Sequence, residues 1–163
     1  MSGLPRTPSQ TVGPYFAIGL SRRPENELAP HTDPGAVTLV GQLVDGQGSP
    51  VPDGMVEVWD GVDGRWGRSG TDADGRFSFV LTKPAARPGE APRLDVMVFA
   101  RGLLRHQLTR VYFPDEAEAN AADPVLSPLG ADDRATLVAD GEDGALRWDI
   151  RLQGDRATLF FAH

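Results

Sequence analysis

The chain has 163 residues, the length of a single domain, and 40% of them are hydrophobic while 24% are charged. This balance is typical of a globular protein and argues against general disorder. The net charge of -7, without a cluster of Lys or Arg, argues against a nucleic-acid partner, and the lack of Cys excludes disulfides and thiolate metal sites.

The sequence also indicates where the protein resides. No apolar run approaches the roughly 18 residues that a membrane-spanning helix needs, and residues 1–6 lack the apolar core of a secretory signal. A chain without Cys fits a reducing compartment. We therefore expect a cytoplasmic protein.

The first 36 residues show little hydrophobic periodicity and are rich in proline. Because proline has no backbone N–H and holds φ near -65°, this segment cannot form regular helices or central strands. The prolines are Pro5, Pro8, Pro14, Pro24, Pro30 and Pro34. We predict an extended N-terminal arm over residues 1–36 that reaches toward a partner subunit, followed by a β-sandwich domain over residues 37–163.

From residue 37 onward, short apolar runs alternate with polar residues and are separated by Gly, Pro and Asp, the pattern of an all-β protein. The clearest run places Leu146, Trp148 and Ile150 on one face of a strand. About eight strands are predicted, which favours a two-sheet β-sandwich. They are 37–44, 55–59, 76–82, 94–100, 107–113, 135–139, 146–153 and 158–161.

Turn residues separate several of these strands. Residues 45–48, 72–75 and 140–144 combine Asp with Gly, which supplies the positive φ of a tight hairpin. One short helix is predicted over residues 115–122, because Pro114 suits a helix start, acidic residues follow it, and alanine is the best helix former.

Several motifs, in order along the chain, resemble the intradiol ring-cleaving dioxygenases, and in particular their subunits that bind no iron. The main ones are TPSQTVGPYF at 7–16, FARG at 99–102 and RVYF at 110–113. Shorter matches lie at 57–59, 82–84, 150–154 and 160–161. The resemblance implies the two-sheet sandwich of that family.

The resemblance also implies where iron is bound. In the family a catalytic β subunit holds Fe(III) with two Tyr and two His, and none of these residues is found at the matching positions here. Trp66 follows the Gly-Arg pair, and Arg93 and Asp95 occupy the His-x-His positions. Indole and guanidinium groups offer no lone pair to a metal. The implied Fe(III) therefore belongs to the partner β subunit and not to this chain.

The chain's contribution to a shared site is implied for five residues: Thr11, Gly13, Pro14, Tyr15 and Arg101. In the family, the matching segments reach the mouth of the β subunit's cavity. Apolar walls, a hydroxyl and a cation would suit a catechol that carries a carboxylate. Plainer roles remain open, namely a turn at Gly13, an anchoring contact for Tyr15 and a structural ion pair for Arg101.

The function implied by the resemblance is that of a non-catalytic α subunit. It would pair with the iron-bearing β subunit in a higher oligomer of αβ protomers that opens protocatechuate with O₂ to 3-carboxy-cis,cis-muconate, and it would be inactive alone. The alternative is a free-standing β-sandwich interaction or carbohydrate-binding module, which residues 41–59 also resemble. The loop between Trp66 and Thr71 is shorter than is usual in the family.

Overall fold

A computed structural model describes residues 6–13, 15–20, 25–142 and 144–162. Within these residues the chain forms nine strands and three short helices. The strands are β1 (Ala36–Val44), β2 (Met55–Asp60), β3 (Arg65–Gly70), β4 (Arg76–Thr82), β5 (Arg93–Phe99), β6 (Gln107–Tyr112), β7 (Asp140–Glu142), β8 (Ala145–Arg147) and β9 (Ile150–Arg151). The helices are α1 (Tyr15–Leu20), α2 (Ala117–Ala122) and α3 (Ala131–Ala135), and no described helix has the length and apolarity needed to cross a membrane.

The strands form two sheets, which confirms the predicted β-sandwich. The first sheet has the order β4-β1-β8-β7, with β9 also paired to β1, and the second has the order β3-β2-β5-β6. β1 is antiparallel to β4 but parallel to β8 and β9. The chain crosses to the second sheet for β2 and β3, returns for β4, crosses again for β5 and β6, and returns for β7, β8 and β9.

Alternation along the strands places one face of each sheet in the core. In β5, Leu94, Val96 and Val98 are each at most 1% exposed, while the residues between them are partly exposed. Across the sandwich they meet residues such as Phe79 and Leu39 in a single apolar cluster. The hairpin turns at 45–48 and 72–75 form as predicted, with Gly48 and Gly75 at φ of 82° and 72°.

A smaller cluster lies under the helical segment that follows β6. Ala91, Tyr112, Leu126 and Leu137 are buried in it. Asp123, 1% exposed, accepts hydrogen bonds from the backbone N–H groups of Ala91, Val125 and Leu126 and from the Tyr112 hydroxyl. Burial raises the pKa of Asp123, but these hydrogen bonds outweigh burial and its pKa lies below the ordinary value.

The long strand predicted over 146–153 is divided into β8 and β9. Asp149 causes the break, because its side-chain Oδ1 accepts the N–H of Gln42 at 3.0 Å and takes the place of a backbone partner. On either side of this break, β8 and β9 still pair with β1. Between them, the Trp148 N–H donates to the carbonyl of Val40 at 2.8 Å. A side-chain acceptor that replaces a ladder bond cannot be read from alternation alone.

Two other predicted strands are reduced to single bridges. In the region 135–139, α3 ends at Ala135 and only Val138 pairs with Tyr112, while in 158–161 only Phe161 pairs with Leu108. The predicted helix at 115–122 is found as α2, and α1 and α3 were not predicted. At six and five residues, α1 and α3 are too short to show helical periodicity.

β3 was missed because its sequence, Arg-Trp-Gly-Arg-Ser-Gly, contains no β-branched residue. It pairs along its full length with β2, from Met55↔Gly70 to Asp60↔Arg65. The unusually short segment after Trp66 is therefore a strand of the second sheet.

The later part of the N-terminal arm lies on the edges of the chain's own sandwich. Glu25 bridges to Arg68 in β3 of the second sheet, and Glu27 bridges to Val80 in β4 of the first. Leu28 packs against the main core and Ala29 is 5% exposed. Residues 25–29 therefore cross from one sheet to the other and cover both edges, which would otherwise present unpaired backbone groups.

Candidate functional site

The outer face of the second sheet carries the three positions that the family resemblance singled out for iron. Trp59 is in register with Trp66 on one side and with Asp95 on the other. The two Trp side chains are partly exposed, at 40% and 37%. The Arg68 guanidinium lies 4.7 Å from the centre of the Trp66 ring, so a cation already occupies one face of that indole.

Arg93 and Asp95 are bound to other side chains. Arg93 Nη1 lies 2.8 Å from Glu90 Oε2, and its Nε lies 3.8 Å from Asp95 Oδ1. The same Asp95 oxygen accepts a hydrogen bond from Arg110 Nε at 3.0 Å. The positions therefore hold an alternating row of acids and guanidinium groups, which neutralise one another.

Other ligating side chains do not come together in the part of the chain that the structure describes. No group of three or more His, Cys, Asp or Glu is placed to hold a metal ion there. Tyr112 is fully buried, and burial raises the pKa of its hydroxyl, so it stays protonated at neutral pH. His31 lies 3.6 Å from Glu27, and His106 stacks on Phe99 with ring centres 5.4 Å apart.

The arm meets the sandwich at the end of β5. Thr11 Oγ1 accepts a hydrogen bond from the backbone N–H of Gly102 at 2.8 Å, although 91 residues separate the two in sequence. Gly102 has φ of 92°, a conformation that glycine adopts without strain. This contact brings Thr11 beside Arg101, so two of the five predicted site residues meet at one turn.

Arg101 itself lies outside β5. Alternation would place Arg101 on the same face as Asp95 and Phe99 if the strand continued, but β5 ends at Phe99 and residues 101–102 form a turn. Arg101 instead extends toward Asp53, and its Nε lies 2.8 Å from Asp53 Oδ2. More than half of the Arg101 side chain, 55%, remains accessible to solvent.

The remaining predicted residues lie on the arm. Gly13 accepts a hydrogen bond from Phe16 N–H at 3.2 Å, and a side chain at Gly13 would meet no atom within 4 Å. Tyr15 begins α1 and is 79% exposed, so no core contact anchors it. Pro14 lies outside the described residues.

An open groove of about 480 Å³ runs between the arm and the segment after β5. Sequence analysis did not assign its lining to the site, although four of the lining residues belong to the motifs at 7–16 and 99–102. The lining consists of Gln10, Val12, Phe99, Ala100, Leu103, Leu104, Arg105 and His106. The groove combines apolar walls with basic side chains, a combination suited to a small anionic aromatic molecule.

The architecture defines the class of protein. The dioxygenase domain of a dioxygenase and carbohydrate-binding protein fusion from Streptomyces sp. SirexAA-E superposes with a TM-score of 0.61 over 91% of this chain and 98% of that domain, at 23% identity. An intradiol ring-cleavage dioxygenase from Tetranychus urticae gives 0.60 over 77% and 83%, at 13% identity. At these identities the likeness shows the fold alone, which is that of the intradiol dioxygenases.

Sequence comparison is more specific. The chain is 44% identical to the protocatechuate 3,4-dioxygenase alpha chain of Burkholderia cepacia, over 99% of both chains. It is 30% identical to the beta chain of the same enzyme from that organism, over 75% of this chain and 66% of the beta chain. A scan against protein-family models found no match. The chain belongs to the protocatechuate 3,4-dioxygenase alpha chains, a family of oxidoreductase subunits.

This membership does not favour the alternative of a free-standing carbohydrate-binding module. The similarity to the alpha chain extends over the whole length, including the arm, which a plain sandwich module would not explain. In the Streptomyces fusion, the part that superposes is the dioxygenase domain.

Intradiol dioxygenases use non-heme iron, and the residues at the positions that the resemblance implies for its ligands do not fit it. The Trp66 indole offers only an N–H, the Arg93 guanidinium offers only N–H donors, and Asp95 already accepts a hydrogen bond from Arg110. A single carboxylate oxygen paired with a guanidinium is a poor ligand for a ferric ion. These three positions serve as packing and ion-pair residues in this chain.

Proposed function

We propose that this chain is the non-iron-binding α subunit of a protocatechuate 3,4-dioxygenase. In this proposal a homologous β subunit holds the Fe(III) and carries out the intradiol opening of protocatechuate with O₂ to 3-carboxy-cis,cis-muconate. The α chain shapes the shared site and is inactive alone. The complex is a cytoplasmic higher oligomer of αβ protomers.

One observation carries the proposal: a chain with full-length similarity to alpha chains has Trp66, Arg93 and Asp95 where an iron site would lie. The similarity to a beta chain supports a partner built on the same sandwich. Of two homologous sandwiches, the one with iron ligands can carry out the metal chemistry, and the one without them can shape access to the site.

The proposed contribution to substrate binding comes from the arm and the turn after β5. Thr11 and Arg101 lie at that turn, and the groove beside them has apolar walls. Gly13, Pro14 and Tyr15 follow Thr11 along the sequence. We assign these five residues to the wall of the shared site, where Arg101 offers positive charge to the substrate carboxylate.

The proposal also gives the arm and the sandwich separate roles. In this proposal the arm, residues 1–36, reaches toward the partner subunit and residues 37–163 form the sandwich, and Tyr15 at the start of α1 is 79% exposed.

The test is copurification. The tagged chain, expressed alone and together with the β subunit, is assayed for bound iron and for loss of protocatechuate absorbance. We expect iron and turnover only in the coexpressed complex. Stoichiometric iron or turnover in the chain alone, or failure of the two chains to copurify, would overturn the assignment.

A further inference from the structure

Asp53 lies next to the only one of the five proposed site residues that carries charge. Its Oδ2 lies 2.8 Å from Arg101 Nε, with one third of the Asp53 side chain exposed. Arg101 bears five N–H donors, so a carboxylate at Nε leaves other donors for a second anion. Asp53 therefore contacts the Arg101 guanidinium at its Nε side.

The backbone at Asp53 is unusual. Its φ is 58°, in the left-handed region that residues other than glycine seldom adopt, although Asp and Asn tolerate it best. The next residue, Gly54, is buried and donates its N–H to Thr71 Oγ1 at 2.7 Å. Asp53 is therefore held at a fixed turn between β1 and β2, and its carboxylate is directed by a rigid backbone.

Arg101 is held from two sides. Thr11 fixes the backbone of the turn through Gly102 N–H, and Asp53 fixes the guanidinium. A long, half-exposed Arg side chain otherwise samples many rotamers and loses that freedom when it binds an anion. Holding it beforehand lowers the entropic cost of binding.

We propose that Asp53 is a positioning residue that orients Arg101 toward the carboxylate of the substrate. The inference rests on the proposed function and deepens it, because it names the group that prepares Arg101. Asp53 acts through Arg101 and touches no reacting atom. Its effect is confined to substrates that carry a carboxylate.

The test uses the coexpressed αβ complex and the variants Asp53→Asn, Arg101→Ala and the double variant. Asn tolerates the left-handed backbone but has no charge, so the turn keeps its shape. We expect Asp53→Asn to raise KM for protocatechuate about 3- to 10-fold with kcat nearly unchanged, the pattern of lost binding common to ground and transition states. For catechol, which has no carboxylate, kcat/KM should stay within twofold.

The double variant separates positioning from folding. If Asp53 acts through Arg101, adding Asp53→Asn to Arg101→Ala changes KM no further. Asp53→Gly, which relieves the backbone strain, should match Asp53→Asn. The matched control is Asp74→Asn, because Asp74 also lies in an exposed hairpin turn and pairs with Arg76 at 3.0 Å.

Each outcome is decisive. If the wild-type complex cleaves protocatechuate but Asp53→Asn behaves like Asp74→Asn, the positioning role is wrong and the proposed function stands. Three other results also overturn the positioning role: an equal loss of kcat/KM on catechol and protocatechuate in Asp53→Asn, a lower KM for protocatechuate in that variant, or additive effects on KM in the double variant. A wild-type complex without ring-cleaving activity overturns both.

Discussion

At the residue scale, charged side chains in this chain mostly hold backbone and other side chains. Asp60, 1% exposed, accepts the N–H groups of Val62 and Asp63 and pairs with Arg65 at 2.8 Å, which closes the turn between β2 and β3. Asp123 does the same for the segment after β6. Other ion pairs are more exposed, among them Arg101 with Asp53 beside the arm, whose side chains are 55% and 33% accessible to solvent.

Asp123 is the buried carboxylate whose loss should cost most. We expect Asp123→Asn to lower the free energy of unfolding by about 2–3 kcal/mol, because three backbone N–H groups lose a charged acceptor and the new amide donors face other donors. Urea denaturation followed by fluorescence measures the change. Asp155→Asn, on an exposed residue, serves as the control and should stay within roughly 0.5 kcal/mol. Equal stability of the two variants would show that this hydrogen-bonded carboxylate is dispensable.

At the element scale, the arm and β3 depend on each other. β3 is an edge strand of low intrinsic β propensity, and residues 25–28 cover it. Gly67 permits this contact, since a Cβ there would overlap the Leu28 side chain and lie 3.0 Å from the Glu25 carbonyl oxygen. Arg68 N–H donates to that same carbonyl at 2.8 Å.

Gly67→Ala should therefore displace the arm from β3 while leaving the pairing of β2 and β3 in place. We expect faster amide hydrogen exchange at Arg68 and at Leu28, whose N–H donates to Val80, and a loss of about 1–3 kcal/mol of stability from overpacking. Hydrogen exchange with mass spectrometry measures both. Gly130→Ala is the matched control, because a methyl group there meets no atom within 4 Å. Unchanged protection in Gly67→Ala would mean that the arm is held by other contacts.

At the scale of the whole molecule, several acids are more acidic than usual. Burial raises the pKa of Asp60, yet its backbone hydrogen bonds and Arg65 bring the net pKa below the ordinary value. A hydrogen bond from Arg93 lowers the pKa of Glu90. Asp123 shifts in the same direction. All three bind fewer protons when folded than when unfolded, so stability must depend on pH.

The folded-state pKa values of these three acids lie below their unfolded values of roughly 4. Their contribution to the free energy of unfolding is therefore complete above the unfolded pKa values and is lost as pH falls through the folded ones. We expect the urea midpoint to be nearly constant from pH 7 to about pH 5 and to fall steadily from there toward pH 3. Asp123→Asn should flatten this decline, since it removes one of the three groups. A urea midpoint that does not change between pH 7 and pH 3 would contradict the lowered pKa values of these three acids.

The sandwich and the family could both be recognised from the order of the amino acids. Alternation in β1, β4, β5 and β6 is a local property that follows from which face is buried, and it can be read residue by residue. The motifs around Thr11 and Arg101 can likewise be read from the sequence, as can Trp66, Arg93 and Asp95 at the positions that the resemblance implies for iron ligands.

How these segments contact one another follows from the three-dimensional fold. β3 forms because β2 offers a pairing edge, and the strand at 146–153 divides because Asp149 binds a backbone N–H of β1. The pairing of Arg101 with Asp53 and of Thr11 with Gly102 joins residues 48 and 91 positions apart. Contacts of this kind depend on where the fold brings distant segments, and no local pattern in the sequence encodes that.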